Sequence, residues 1–164
     1  METAVVYYSL DGSTREAAKL IAQRFGADVF ELEEAGKKKG KFLLFMAGGF
    51  GAMAGIRSRL KQNPAGQMQQ YGTIYIGSPI WASRTVPAVN TFLHKLNAQD
   101  KQIIFFTVQA DPNPAPSKGL EKLIGRLERR GAAVSCVIRL HGAKPGETAS
   151  QTHMHEQLDR SFVE

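Results

Sequence analysis

The chain has 164 residues, 43% of them hydrophobic, and a formal net charge of +6. This length suits a single domain, residues 1–164, that can bury a full core. Its start has no basic segment followed by an apolar one, and no apolar run reaches membrane-spanning length, so we expect a cytoplasmic protein without membrane insertion.

The first part of the chain predicts one β-α-β unit. Ala4–Tyr8 is a continuous apolar run, which is typical of a strand buried on both faces of a parallel sheet. Thr14–Phe25 carries apolar side chains at helical spacing, and Gly26 ends this helix. A short second strand is predicted at Asp28–Glu31.

The next segment is basic and rich in glycine. Lys37–Lys41 is the densest run of positive charge. Such a run most often marks a solvated surface, and the alternative is docking of an anionic partner or of extra cofactor phosphates. The glycines at 48–51 follow no strand and precede no suitably placed acidic residue, so they are not a dinucleotide-binding fingerprint.

The rest of the chain alternates strands and helices. The predicted elements are strands at Tyr71–Gly77, Lys101–Val108 and Ala132–Leu140, and helices at Pro87–Leu96, from Ser117 to Gly131, and around Met154, Leu158 and Phe162. Because crossover connections between parallel strands are right-handed, five strands in this alternation predict an α/β fold with helices on both faces of a parallel sheet. The single cysteine, Cys136, lies in the last strand and is predicted to be a buried packing residue.

A polar turn between the first strand and the first helix is the candidate anion site. It consists of Ser9, Leu10, Asp11, Gly12, Ser13 and Thr14. The first turn of a helix leaves N–H groups unpaired and carries partial positive charge, which favours an anion there. Gly12 lets the backbone come close, the hydroxyls can donate to phosphate oxygens, and Ser13 or Thr14 is the expected N-cap. The turn has no P-loop lysine, and an ordinary strand-to-helix turn explains it equally well.

The spacing of this turn resembles the phosphate-binding loop of flavodoxins, which hold the phosphate of FMN without a basic side chain. Asp11 stands where flavodoxins usually carry threonine, so its carboxylate should point away from the phosphate or be neutralised. A second segment carries the same resemblance, because Ser78-Pro79-Ile80-Trp81-Ala82 and the helix after it look like the corresponding loop and helix of small bacterial flavodoxins. The likeness covers most of the chain.

The resemblance implies a flavodoxin-like three-layer sandwich, whose five-stranded parallel sheet has the order 2-1-3-4-5. Flavodoxin is itself the standard example of this order, with FMN at the point where the order reverses. The first and third strands are then neighbours. The loops after Ser9, Gly77 and Val108 should therefore converge.

The resemblance also implies how FMN would be held. Trp81 would stack on the isoalloxazine ring, although a tryptophan of the core or surface is the alternative. The backbone of Ser78, Pro79, Ile80 and Ala82 would meet the polar edge of the ring, and Gln109, Ala110 and Asp111 would close its other side. Many flavodoxins are acidic, whereas this chain is basic, and a cation such as Arg84 near the ring would raise its redox potential.

The leading functional hypothesis is an FMN-binding electron-transfer protein without catalytic side chains, serving redox partner proteins that include acidic ones. The alternative is an FMN-dependent NAD(P)H:quinone-type oxidoreductase, and the third reading is a flavin-free binding module on the same fold. His153 and His155 point to different helix faces, so no metal site is expected. No basic stripe is interleaved with aromatic residues, so no nucleic acid is expected. Whether two chains pair is left open.

Overall fold

The computed structural model describes residues 2–36, 57–144 and 147–163. Lys37–Lys41 and the glycines at 48–51 lie outside the described residues. The strands are β1 (Glu2–Tyr7), β2 (Asp28–Glu31), β3 (Tyr71–Trp81), β4 (Arg84–Thr85), β5 (Gln102–Gln109) and β6 (Ala133–His141). The helices are α1 (Ser13–Phe25), α2 (Pro87–Lys95), α3 (Lys118–Glu128) and α4 (Gln151–Val163), with a 3₁₀ helix at Pro64–Gln70.

The sheet has the predicted topology. Its long strands are parallel in the order β2-β1-β3-β5-β6, and the short β4 pairs antiparallel with the end of β3. Without β4 this is the order 2-1-3-4-5. In the register, Tyr7 of β1 lies beside Gly77 of β3, which lies beside Phe106 of β5. The carboxyl ends of β1, β3 and β5 therefore meet at one edge of the sheet, as the sequence predicts.

Two hydrophobic cores cover the two faces of the sheet, which explains the continuous apolar run in β1. Successive side chains of a strand point to opposite faces, and Val6 belongs to one core whereas Val5 belongs to the other. The first core contains buried residues of α2 and α3, namely Phe92, Leu93, Leu120 and Leu127. The second contains buried residues of α1 and α4, namely Ile21, Met154 and Leu158.

Gly77 is required where β1, β3 and β5 come together. A Cβ added to Gly77 would lie 2.2 Å from Cζ of Phe106 and 2.8 Å from Cβ of Tyr7. The Phe106 ring thus occupies the space that a side chain at position 77 would need. Any larger residue here would push the strands that carry the candidate site apart.

The prediction that Cys136 is buried is wrong, because its side chain is exposed. It lies on β6, which among the described strands pairs only with β5. Several residues of this edge strand remain exposed, whereas Ile138 and Leu140 are buried. None of the described helices is both long and apolar enough to span a lipid bilayer.

Candidate functional site

The loop after β1 reaches α1 through a glycine in the left-handed region. Gly12 has φ +104° and is itself the N-cap, so helix α1 begins at Ser13. The predicted N-cap at Ser13 or Thr14 is therefore wrong. A side chain at position 12 is excluded twice, because its φ favours glycine and because a Cβ would lie 2.7 Å from Oγ1 of Thr148.

Two N–H groups of the loop already donate hydrogen bonds to side chains of the same loop. The N–H of Gly12 donates to Oγ of Ser9 at 3.1 Å, and the N–H of Ser13 donates to Oδ1 of Asp11 at 3.2 Å. The partial positive charge of the helix N-terminus attracts the Asp11 carboxylate. The Asp11 carboxylate therefore lies at the helix N-terminus. That carboxylate competes with any phosphate bound at the same helix end.

A segment near the end of the chain, residues 147–149, closes over this loop. The Ser13 hydroxyl accepts from the N–H of Ala149 at 3.0 Å and donates to the carbonyl of Glu147 at 3.5 Å. The Thr148 hydroxyl donates to the carbonyl of Asp11. This closing segment was not predictable from the sequence, since no local pattern links positions 137 residues apart. Ser13 is consequently tied to the closing segment, while Ser9 and Thr14 are buried beside it.

The second predicted loop is a β-hairpin rather than a loop that starts at Ser78. Strand β3 continues to Trp81, turns at Ala82-Ser83 and returns as β4, with Trp81 paired to Arg84. Ala82 has φ +47° and Ser83 has φ +59°. A two-residue turn with both φ values positive is the type I′ hairpin turn, which normally uses asparagine and glycine. Each of these two residues costs about 1–2 kcal/mol relative to a relaxed backbone.

The start of α3 holds this strained turn in place. The carbonyl of Ser83 accepts from the Ser117 hydroxyl at 2.6 Å and from the N–H of Gly119 at 2.9 Å. A Cβ at Gly119 would lie 2.4 Å from that carbonyl oxygen, so only glycine permits the approach. The Ser117 hydroxyl also accepts from the N–H of Leu120 at 3.2 Å, which confirms Ser117 as the predicted cap.

Trp81 links the first and second loops through Tyr8. The two rings meet edge to face, with centroids 6.3 Å apart and an angle of 89° between their planes. Trp81 and Leu10 are both partly buried and pack against the core cluster that contains Tyr8. Burial, followed by the nearby Glu34, raises the pKa of Tyr8 to about 12. The sequence predicts Tyr8 only as a strand residue and carries no local signal of its contact with Trp81.

The polar groups of the residues before Trp81 are partly used inside the fold. Ser78 is fully buried, and its hydroxyl donates to the carbonyl of Pro79 at 2.8 Å and accepts from the N–H of Val86 at 3.4 Å. Pro79 and Ile80 are half-buried strand residues. The predicted contact of this segment with a ring edge therefore depends on backbone groups, as the sequence analysis expected, and not on the Ser78 hydroxyl.

The third loop starts at the same sheet edge but is held mainly by its own turns. Gln109 ends β5, and its Nε2 donates to the carbonyl of Ala115 at 3.0 Å. Ala110 and Asp111 are exposed, and Oδ1 of Asp111 accepts from the N–H of Asn113 at 2.8 Å. Strand order brings this loop near the other two, and the carbonyl of Gln109 accepts from the N–H of Gly142 at 2.7 Å.

A partly buried network fixes the start of α1 to the end of β2. Arg15 of α1 holds Glu31 with two nitrogens, at 2.5 Å and 3.2 Å, and the Tyr7 hydroxyl donates to the same carboxylate at 3.0 Å. Burial, reinforced by Glu31, raises the pKa of Tyr7 to about 12. Because Glu31 compensates its charge, Arg15 positions the loop and offers little free positive charge to an anion.

The histidines named in the sequence analysis have structural contacts. The ring of His153 lies 5.3 Å from the ring of His141, and His155 lies 3.0 Å from Asp159. Within residues 2–36, 57–144 and 147–163, no three His, Cys, Asp or Glu side chains gather where they could hold a metal ion.

Comparison with known proteins gives the same architecture. Residues 51–124 match the protein family described as flavodoxin. A candidate flavoprotein from Bacteroides uniformis superimposes with a TM-score of 0.72 at 24% identity, over 96% of this chain and 97% of that one. The chain is flavodoxin-like.

Two further solved structures show how widely this flavodoxin-like fold is shared. A flavoprotein from Lactobacillus acidophilus, solved in complex with FMN, has a TM-score of 0.63 at 19% identity over 84% of this chain and 92% of that one. Flavodoxin 1 from Bacillus cereus has a TM-score of 0.57 at 16% identity, over 99% and 95% of the two chains. A search of curated proteins finds no significant match. At these identities the solved structures establish the flavodoxin-like fold.

Proposed function

We propose that this flavodoxin-like chain binds FMN and transfers electrons between redox partner proteins, without a catalytic side chain of its own. One observation carries the proposal. The turn at the N-terminus of α1 and the partly buried Trp81 meet at the carboxyl edge of the sheet, with Tyr8 between them. The family match and the fold shared with an FMN complex support it.

The residues of the first loop fit a phosphate. The dipole of α1 favours an anion at its N-terminus, where the N–H groups of Gly12 and Ser13 already donate to Ser9 and Asp11. The buried hydroxyls of Ser9 and Thr14 lie in the same loop and can act as donors. Asp11 opposes binding by its charge. We therefore assign the phosphate of FMN to the hydroxyls of Ser9 and Thr14 at the N-terminus of α1, with Asp11 limiting the affinity.

Trp81 is the residue that would contact the flavin ring. Its indole lies at the tip of a hairpin that α3 holds rigidly, so little conformational entropy is lost when a planar ligand stacks on it. Stacking of two aromatic systems contributes on the order of 1 kcal/mol beyond the area that it buries. When bound, FMN supplies the redox chemistry, and the protein orients the ring and excludes water from it.

The experiment uses the fact that Trp81 is the only tryptophan of the chain. Quenching of its fluorescence during titration with FMN reports binding of the flavin to the chain, and riboflavin, which lacks the phosphate, is the matched ligand control. We expect FMN to bind more tightly than riboflavin. Absence of quenching by either flavin would refute the assignment and favour the flavin-free binding module.

A second step separates electron transfer from an NAD(P)H-dependent reductase. The FMN-loaded protein is mixed anaerobically with NADPH and then with dithionite, while the visible flavin absorbance is followed. An electron carrier should be bleached by dithionite and not by NADPH. Prompt bleaching by NADPH, with turnover when a quinone is added, would contradict the carrier and favour the NAD(P)H:quinone-type oxidoreductase.

A further inference from the structure

Three of the four lysines and arginines of α1 and α4 form salt bridges, the exception being Arg160, whereas none of those of α2 and α3 does so among the described residues. Near α1 and α4, Arg15 pairs with Glu31, Lys19 with Glu16, and Arg24 with Asp159. Near α2 and α3, by contrast, no described carboxylate forms a salt bridge with the exposed arginines. These arginines are Arg57, Arg126 and Arg129. This difference points to a counter-charge that the chain itself does not supply.

The unpaired cations line two adjoining concavities. A cleft of about 590 Å³ between α2 and α3 has Leu93, Leu123 and Leu127 among its lining residues, together with Arg57, Arg126 and Arg129. A second concavity of about 630 Å³ continues along α3 past Arg126 and Arg129, and Glu121 is the one carboxylate that lines it. We call the set Arg57, Lys118, Lys122, Arg126 and Arg129 the basic strip.

A neighbouring histidine is consistent with positive potential along the strip. His94 lines the same cleft, and the charge of Arg57, ahead of burial and of the charges on Lys95 and Arg130, lowers the pKa of His94. Arg130 has a separate, structural role, since it donates to the carbonyls of Leu93 and Leu96 at the end of α2. The cations of the basic strip therefore remain available to an external group, whereas Arg130 binds the carbonyls at the end of α2.

The strip begins beside the hairpin that carries Trp81. Lys118 is the first residue of α3, between the two residues, Ser117 and Gly119, that hold the carbonyl of Ser83. From there α3 extends for 11 residues, which is about 16 Å of helix. A partner lying along the strip would thus touch the hairpin at one end.

We propose that the basic strip docks the acidic face of an electron-transfer partner protein and brings that partner next to Trp81. The proposal rests on the electron-transfer function proposed above and names the partner's chemistry. Arginine is enriched at protein interfaces, and the partly buried Leu123 adds apolar surface among the arginines. The two open concavities extend beyond one small phosphate, and duplex DNA is the competing class of ligand in the test.

The test uses one haem protein in two charge forms. Native cytochrome c is basic, and succinylation of its lysines makes it acidic. Binding of each form to the chain is measured by fluorescence anisotropy over a range of salt concentrations, with and without FMN. We expect the acidic form to bind and the basic form not to bind. Affinity for the acidic form should fall steeply as salt is raised, because salt screens exposed charges.

Two double variants place the same loss of charge at different sites. Arg126→Gln with Arg129→Gln removes two cations from the strip, and Lys19→Gln with Arg160→Gln removes two from α1 and α4. Both lower the net charge from +6 by 2, to +4. We expect the first pair to weaken binding of the acidic form by on the order of tenfold and the second to change it little. Circular dichroism checks that each variant is folded.

The outcomes distinguish the proposed docking at the basic strip from the proposed electron transfer. Equal weakening by both pairs would overturn the strip, because net charge alone would then explain binding. Tighter binding of duplex DNA or of pyrophosphate than of the acidic protein, lost in the first pair, would overturn the class of partner. Binding to the strip without haem reduction by the dithionite-reduced, FMN-loaded protein would support the surface and contradict the proposed electron transfer. Binding with reduction would support both.

Discussion

Asp11 should weaken the binding of FMN, and replacing it with asparagine tests this directly. Its Oδ1 already accepts a hydrogen bond from the N–H of Ser13 at 3.2 Å. A phosphate bound by the adjacent N–H groups of α1 would therefore place its charge roughly 5 Å from the charge of the Asp11 carboxylate. Two unit charges at that distance repel by about 0.8 kcal/mol in a water-like environment and by about 3 kcal/mol at an effective dielectric constant near 20. Asp11 is half-buried, so a value of about 1–2 kcal/mol applies.

Asparagine keeps an oxygen that can accept the N–H of Ser13 but removes the negative charge. We therefore expect Asp11→Asn to lower the dissociation constant for FMN by between about 5- and 30-fold, because 1.4 kcal/mol corresponds to tenfold. The assay is quenching of Trp81 fluorescence by FMN, with riboflavin as the control, since riboflavin has no phosphate to repel. An unchanged FMN affinity, or an equal gain for riboflavin, would refute the assignment of the phosphate to this loop.

Further substitutions test the rest of the site. Trp81→Ala should weaken FMN binding about tenfold and Trp81→Phe should weaken it much less, as measured by equilibrium dialysis. Equal affinity of both variants and the unaltered protein would contradict stacking of FMN on Trp81. Ala82→Gly should raise the unfolding free energy by about 1 kcal/mol by relieving the left-handed strain, visible as a higher urea midpoint with an unchanged slope. Gly119→Ala should lower the free energy of unfolding by about 1–3 kcal/mol and also weaken FMN binding, because the added Cβ displaces the carbonyl of Ser83. A loss of stability with normal FMN affinity would show that the hairpin is not held by α3. The pKa of Tyr7 is raised from 10.0 to about 12, so its protonated form stabilises the fold fully below pH 10 and that stabilisation is lost as pH rises towards 12. Urea unfolding at alkaline pH should therefore show a steeper loss of stability than in Tyr7→Phe, and parallel curves would argue against the Glu31 network.

Regular periodicity made most of the fold predictable from the sequence. The unbroken apolar run of β1 requires cover on both faces, and the two cores supply it from opposite sides. Strands alternating with helices then allow few topologies, and the observed strand order is one of them. Ser117 was predictable as a cap because its hydroxyl acts within three residues.

Long-range contacts explain what the sequence did not reveal. The turn at Ala82-Ser83 lacks the asparagine and glycine that signal a type I′ hairpin, and hydrogen bonds from Ser117 and Gly119 hold it instead. The expectation for Cys136 failed because its apolar neighbours indicate a strand but not whether that strand lies at the edge of the sheet. Local pattern predicts an element, whereas burial depends on which element lies beside it.

The contact between residues 147–149 and the first loop has a consequence for how the protein is made. The turn at Asp11–Ser13 leaves the ribosome well before residues 147–149, yet the hydroxyl and N–H groups that complete it belong to that later segment. Strand β1 likewise cannot pair with β3, its central partner in the sheet, until β3 has been synthesised. Such long-range pairing slows folding and delays the finished site until residues 147–149 are available. A ligand held by this loop would therefore select chains that already contain residues 147–149.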